Sequence, residues 1–291
     1  MARQARHDNC LYTVSVLRIA CPGAPRSTPG SGGTLAGLKH AKSLGIDAME
    51  IEWVQSVPKN AEHVAKLGEL AKALDIGLTV HAPYFVNLNS DDKEKLAASE
   101  KRIVDALSMA QVCGAVSVCV HAAFNGGKDS ISVTDNVRRS TERILKKKSK
   151  VFPDVNLAYE TMGKPSQWGT LDETLAVSKE FDLYPCVDVA HMHARSGGKV
   201  DSEQAFNEIF DRYAKVLGKK SLSSMHLHYS GIAFGDKGEK HHLTFEESGM
   251  AWKTFLKVLK KRNIGGTLVC ESPAMEGDTI LLQKTYDRIN V

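Results

Sequence analysis

The chain repeats one pattern eight times: a short run of β-branched or apolar residues, then a longer stretch of helical period. The short runs are TVSVLRI (13–19), DAMEIEW (47–53), GLTVHAP (77–83), VSVCVHA (116–122), VNLAYET (155–161), LYPCVDV (183–189), SMHLHYS (224–230) and GTLVCES (266–272). Segments such as NAEHVAKLGELAKALD and DSEQAFNEIFDRYAKVLG lie between them and space their apolar residues three and four apart, as one face of a helix requires. Regular alternation of strand and helix implies parallel strands joined by crossover helices. Eight such units in 291 residues fit a closed (β/α)8 TIM barrel of the α/β class better than an open doubly wound sheet. Asp91, Thr170 and Asp201 precede helical runs, while Gly45, Gly77, Gly114 and Gly218 follow them, as capping and chain reversal favour. No linker, low-complexity segment or solenoid repeat interrupts the pattern, so one barrel domain is expected over 1–291.

Composition works by exclusion. Charged residues make up 25% of the chain and no run approaches the roughly 20 apolar residues of a membrane span, so a membrane partner is not expected. A net charge of +4 permits a polyanionic partner without demanding one. The stretch MARQARHDNCLYTVSVLRIACPGA faintly mimics a signal peptide, but Arg18 interrupts its apolar part and the run serves better as a first strand. The 6 cysteines include no CxxC pair and read as reduced, buried thiols of a cytoplasmic protein.

In a barrel of this kind the carboxyl ends of the strands converge on the face where function is built. Strand three ends in His81, four in His121, five in Glu160, six in Asp188 followed by His191, seven in His226 with His228, and eight in Glu271. Any one of these is more often a capped or satisfied group than a ligand. Together they crowd acid and imidazole into one concavity, which costs on the order of several kcal/mol per buried charge unless cations compensate. Histidine and carboxylate without thiolate suit Zn2+, with Mn2+ as the alternative, and the donors exceed one tetrahedral shell, so two or three ions are expected. The loop after strand seven adds EKHH, in which Glu239 and His241 stand two apart and can converge with His191; His193 and His242 are left as supporting or solvent-facing groups. The Pro/Gly/Ser-rich segment 20–33 and the segment 231–243 are long enough to shape a pocket.

These residues resemble the endonuclease IV family of zinc-dependent apurinic/apyrimidinic endonucleases, which are (β/α)8 barrels. The resemblance covers nearly the whole chain and rests on HAPYFVNL (81–88), VHA at His121, YETMG at Glu160, CVDVAH (186–191), HLHYS (226–230), the segment around His241, and Glu271. It implies three zinc ions: the first on His81, His121 and Glu160, the second on Glu160, Asp188, His226 and Glu271, the third on His191, Glu239 and His241. It implies further that Tyr84 and Phe85 enter the minor groove of double-stranded DNA at an abasic site, and that Glu160 and Glu271 orient the nucleophile for cleavage 5′ to that site. A monomer is expected.

The chain departs from the family pattern at three places. Glu239 stands where an aspartate is usual, His226 to Tyr229 replaces HLND, and the loop after strand one keeps only Gly32 and Gly33. The main rival is a sugar isomerase or epimerase on the same barrel, holding one ion on Glu160, Asp188, His226 and Glu271. His81, His121, Glu239 and His241 favour the nuclease, because a one-ion isomerase has no use for them. A damage-binding barrel without turnover is a third reading, opposed by the complete ligand set. The run KKKSK (146–150) reads as a solvated helix end, whereas Lys164, Arg195 and Lys199 follow strands five and six and could reach phosphates.

Overall fold

A computed structural model describes residues 16–30 and 32–290. The beginning of the expected first strand, residues 13–15, lies outside the described residues, as do the start of the signal-like stretch and Cys10. Eight parallel strands form the barrel: β1 Leu17–Pro22, β2 Ala48–Glu52, β3 Gly77–His81, β4 Ser117–Val120, β5 Asn156–Tyr159, β6 Cys186–Asp188, β7 Met225–Tyr229 and β8 Gly266–Cys270. Their order around the sheet is β5, β4, β3, β2, β1, β8, β7, β6. A bridge between Glu160 and Cys186 joins the two end strands and closes the ring.

The strands read as near-continuous apolar runs because both of their faces are buried. Alternate residues nevertheless serve different cores. Met49, Ile51, Leu78, Val80, Val118, Val120, Leu157 and Tyr159 point outward into the layer shared with helices such as Ala61–Ala73 and Lys93–Cys113. On the other side of the ring, Val187, Leu227, Tyr229, Leu268 and Cys270 do the same against Glu203–Leu217 and Trp252–Lys261. The opposite parity faces the barrel axis. There the side chains are small: Ala20, Ala48 and Val269 form one patch, and Cys119, Ala158 and Cys186 another. Barrel interiors are usually filled by large branched residues. Small ones leave room, and buried Glu50, Thr79, Ser117, His226 and His228 take it.

Helix boundaries follow local capping chemistry. Thr170 forms a capping box with Glu173, and Gly114 ends Lys93–Cys113 in the left-handed region at φ 73°. Two expected caps shift by one residue, to Asp92 and Ser202. Asp201 is drawn off because its carboxylate accepts from the Ala251 amide at 2.7 Å. The five described cysteines are free and buried. Among the described residues no helix is long and apolar enough to cross a membrane.

Two antiparallel ribbons stand above the carboxyl rim. One pairs Ala123–Phe124 with Gln167–Trp168, tying the loops after β4 and β5 together. The other is a hairpin of Gly231–Gly235 and Gly238–Leu243, which occupies the long segment after β7.

Candidate metal centre

Glu160 lies at the middle of the site. It is the residue after β5, and its parity continues that of Ala158, so its carboxylate points into the barrel at 1% exposure. Its Oε2 lies 2.7 Å from His121 Nε2 and 3.5 Å from His81 Nε2. Its Oε1 lies 3.1 Å from His191 Nδ1 and 3.4 Å from His228 Nδ1. His228 Nδ1 is also 3.2 Å from Glu271 Oε1, and His191 Nδ1 is 3.4 Å from Asp188 Oδ2. Asp188 has two tasks: Oδ1 accepts from the His191 amide at 2.7 Å and caps the helix Val189–Arg195, while Oδ2 faces the cluster.

Three neighbouring sets of donor atoms are close enough to hold a cation: His81, His121 and Glu160; Glu160, Asp188, His228 and Glu271; and His191, Glu239 and His242. Two deeper sets, Glu50 with His226 and His228, and Cys119 with Cys186 and His228, lie towards the barrel axis. The donor chemistry fits divalent cations, and so does the hydrogen bonding. Glu160 Oε1, Asp188 Oδ2 and His228 Nδ1 are buried without a hydrogen-bond partner, a costly condition for polar atoms unless something else binds them. Among the described residues, the ion pairs of these three sets run to histidines, with one lysine contact, Lys164 Nζ to Glu239 Oε1 at 3.9 Å.

The electrostatics show the same crowding. Burial would raise the Glu160 carboxyl, but the charge of His121 and its hydrogen bond, with the nearby rings of His191 and His228, hold it well below the usual range. Asp188 goes the other way: burial dominates, helped by the charges of Glu271 and Glu160 against that of His191. Burial likewise pushes Glu52 up to about 8. For His81 burial favours the neutral ring, yet the hydrogen bond to Glu160 and the charges of Glu52, Glu160 and Glu50 prevail and raise it to about 10.

Two of the expected ligands are displaced by geometry. His226 and His228 both face the axis, but neighbouring-strand register sets their depth. His228 pairs with Asp188, whereas His226 pairs with Cys186, two residues or about 6.6 Å further down. His226 therefore meets Glu50 Oε2 at 2.8 Å and Ser117 Oγ at 3.1 Å, and His228 takes the place beside Glu160, Asp188 and Glu271. In the hairpin, strict alternation would put Glu239 and His241 on one face. A bulge intervenes: Ala233 pairs with His241 but Phe234 pairs with Glu239, leaving Lys240 extra. Bulges re-aim side chains. Here it turns His242 towards the site, with Nδ1 2.6 Å from Ser230 Oγ and Nε2 3.9 Å from Glu271, and leaves His241 exposed.

His193 stays apart from the cluster, its Nδ1 3.0 Å from the Val200 carbonyl and its ring edge-on to Phe234. Tyr84 lies against His81 and His121, with ring centroids 5.0 and 5.2 Å away, while Phe85 is 61% exposed. Arg195 is consumed by structure, donating to the carbonyls of Met162, Lys164 and Gln167. Lys199 is exposed, and residues 146–150 follow the helix Ser130–Leu145 and run into the short helix Lys148–Val151 that precedes β5. Sequence reasoning missed strand two: Glu50 and Glu52 carry the inward parity of Ala48, and the alternation in AMEIE is the signal that could have found them.

Comparison with known proteins places this architecture. A family model described as a xylose isomerase-like TIM barrel matches residues 38–287. An uncharacterized protein of Methanocaldococcus jannaschii is 35% identical over 248 residues, 85% of this chain and 90% of that protein. A protein of Aquifex aeolicus named probable endonuclease 4 is 25% identical over 235 residues, covering 77% of this chain and 81% of its own. Among solved structures, endonuclease IV from Thermus thermophilus superposes with a TM-score of 0.71 at 19% identity, over 93% of this chain and 97% of that one. A D-tagatose 3-epimerase-like protein reaches the same TM-score of 0.71 at 16% identity, over 93% and 96%. The two structural likenesses concern the fold alone.

Proposed function

Because this chain belongs to the xylose isomerase-like TIM barrel family, and because its rim carries more acid and imidazole than one ion can use, we propose that it is a metal-dependent phosphodiester hydrolase cutting DNA 5′ to abasic sites, as endonuclease IV does. The observation that carries this reading is the chaining of three donor sets, two of them through Glu160. An isomerase with a single ion would need Glu160, Asp188, His228 and Glu271, and would leave His81, His121, His191, Glu239 and His242 without a purpose.

His81, His121 and Glu160 would hold one zinc ion, Glu160, Asp188, His228 and Glu271 a second, and His191, Glu239 and His242 a third, with Mn2+ an option at one of them. Bound divalent cations supply Lewis acidity, polarising a phosphodiester and easing the departure of its leaving oxygen. The protein's own groups do the rest. Glu160 and Glu271 face each other across His228 and would orient the attacking water between them. Tyr84 screens the first donor set from bulk solvent, and exposed Phe85 offers an apolar wedge for a groove. An abasic nucleotide has no base to unpair and is cheap to turn out towards such a site. Lys164, beside Glu239, can meet a phosphate.

The test is to count ions per chain by elemental analysis and to assay nicking of an abasic duplex with and without chelator. About three zinc ions and chelator-sensitive nicking are expected. One ion per chain, turnover of a keto-sugar and an intact duplex would instead establish the epimerase reading, which the quartet Glu160, Asp188, His228 and Glu271 favours.

A further inference from the structure

We propose that the groove between the loop after β2 and the helix Lys93–Cys113 is a phosphate-binding subsite, in which Arg102 and Lys59 hold the backbone of a DNA strand as it leaves the rim. The inference rests on the action on DNA proposed above and carries the contact surface off the rim and down the outer wall of the barrel, onto a helix that supplies none of the proposed ligands.

The groove encloses about 390 Å3, and its charged lining is Lys59, Lys101, Arg102 and Asp105. Lys101 and Asp105 stand one helical turn apart and pair at 2.5 Å, so their charges offset each other. Arg102 and Lys59 are surplus: among the described residues neither side chain has a hydrogen bond or an ion pair. For Lys59, exposed on a loop, that is ordinary. Arg102 is half-buried, and there it is not. The other half-buried arginines among the described residues are all answered: Arg18 by Asp75, Arg138 by Glu180, Arg195 by backbone carbonyls and Arg262 by Asp211. A guanidinium held partly out of water without an acceptor leaves its donors unsatisfied, which costs free energy until an anion arrives. Its planar fork matches two oxygens of a phosphate.

Position identifies what carries that phosphate. Pro83 forms part of the groove wall and is followed in the chain by Tyr84 and Phe85. The Tyr84 amide donates to the Val54 carbonyl at 3.1 Å and the Trp53 amide to the His81 carbonyl at 3.1 Å, so the loops after β2 and β3 are braced together. A duplex that takes Phe85 into its minor groove thus runs its backbone beside this wall. The cations have a fixed floor as well, because Val57 and Met109 line the groove and pack on the core beneath it. In the sequence, Lys101 and Arg102 read as the solvated face of a long helix; only the loop folded over that face turns it into a concavity.

The test is equilibrium binding of an abasic duplex by the metal-loaded protein across a range of salt concentrations. Arg102→Gln should weaken binding about 10-fold at low salt and lower the slope of log affinity against log salt by about one, as loss of a single phosphate contact does. Lys59→Gln should act alike, whereas Arg102→Lys, which keeps the charge, should keep the slope. Shortening the duplex by about 10 base pairs, one helical turn, on the side that crosses the groove should cost the wild type more affinity than it costs Arg102→Gln; shortening the other side should cost both equally. Wild-type affinity and slope in Arg102→Gln, beside a wild-type protein that binds and nicks the duplex, would overturn the inference and leave the proposed function standing. A wild-type protein that neither binds nor nicks the duplex would sink both. Stabilisation of the wild type but not of Arg102→Gln by inorganic phosphate, with equal duplex affinity in the two, would assign the groove to a free phosphate and overturn its assignment to DNA.

Discussion

His81, Glu160, Asp188 and His228 stand on or just beyond barrel strands, each at 0–1% exposure, whereas Glu239 and His242 stand on a hairpin above the rim, with side chains 15% and 29% exposed. The strand group is aimed by the register of a closed sheet, in which every position is fixed by neighbours on both sides. The hairpin group is aimed by one bulge between two strands. The first arrangement cannot drift without opening the barrel; the second can be redirected locally. The candidate site is thus divided between a rigid floor and an adjustable lip.

The largest effect that would break this division is on the floor. Glu160→Gln removes the charge shared by two donor sets and should lower nicking on the order of 1,000-fold or more, measured as single-turnover cleavage of an abasic duplex. A rate near wild type would mean the reaction happens elsewhere. Next, His228→Ala should cost roughly 100-fold in activity together with one ion per chain, while His226→Ala, which reaches the centre from below through Glu50 and the His228 ring, should cost nearer 10-fold. Equal losses, or the reverse order, would contradict the depth assigned by strand register.

Smaller effects sharpen the picture of the lip. A Cβ on Gly163 would lie 2.7 Å from both Cβ and Oε2 of Glu239, closer than such atoms approach, so Gly163→Ala should push Glu239 aside. Loss of one ion and about 10-fold in rate, with the other ions retained in chelator competition, is the expected result. At the bottom of the scale, His241→Ala should leave rate and metal content unchanged, since that ring faces solvent. A loss matching that of His242→Ala would show the hairpin in another register in solution.

Much of the architecture was legible in the chain. The eight short runs predicted the eight strands, with seven of them enclosing the observed strand and the first displaced towards Pro22. His81, His121, Glu160, Asp188, His191, Glu239 and Glu271 were placed at strand ends or in the loop after β7, and the structure brings all of them together. The residues that moved, His226 to His228 and His241 to His242, moved within pairs that the sequence presents as near equals. Glu50 escaped notice because strand two ends in Glu52 and Trp53, and an acid one pleat down from a strand end looks like any core position until its neighbours are known.

The sequence alone determined parity. Alternation within each run says which side chains face the axis, because side chains along a strand point to opposite faces whatever the partner does. Depth was decided only by the tertiary structure. How far one strand slides past the next depends on closure of the whole ring, from Leu17 beside Gly266 to Glu160 beside Cys186, and no single strand carries that information. The same holds for the hairpin, where one extra residue opposite Ala233 and Phe234 chose between two adjacent histidines.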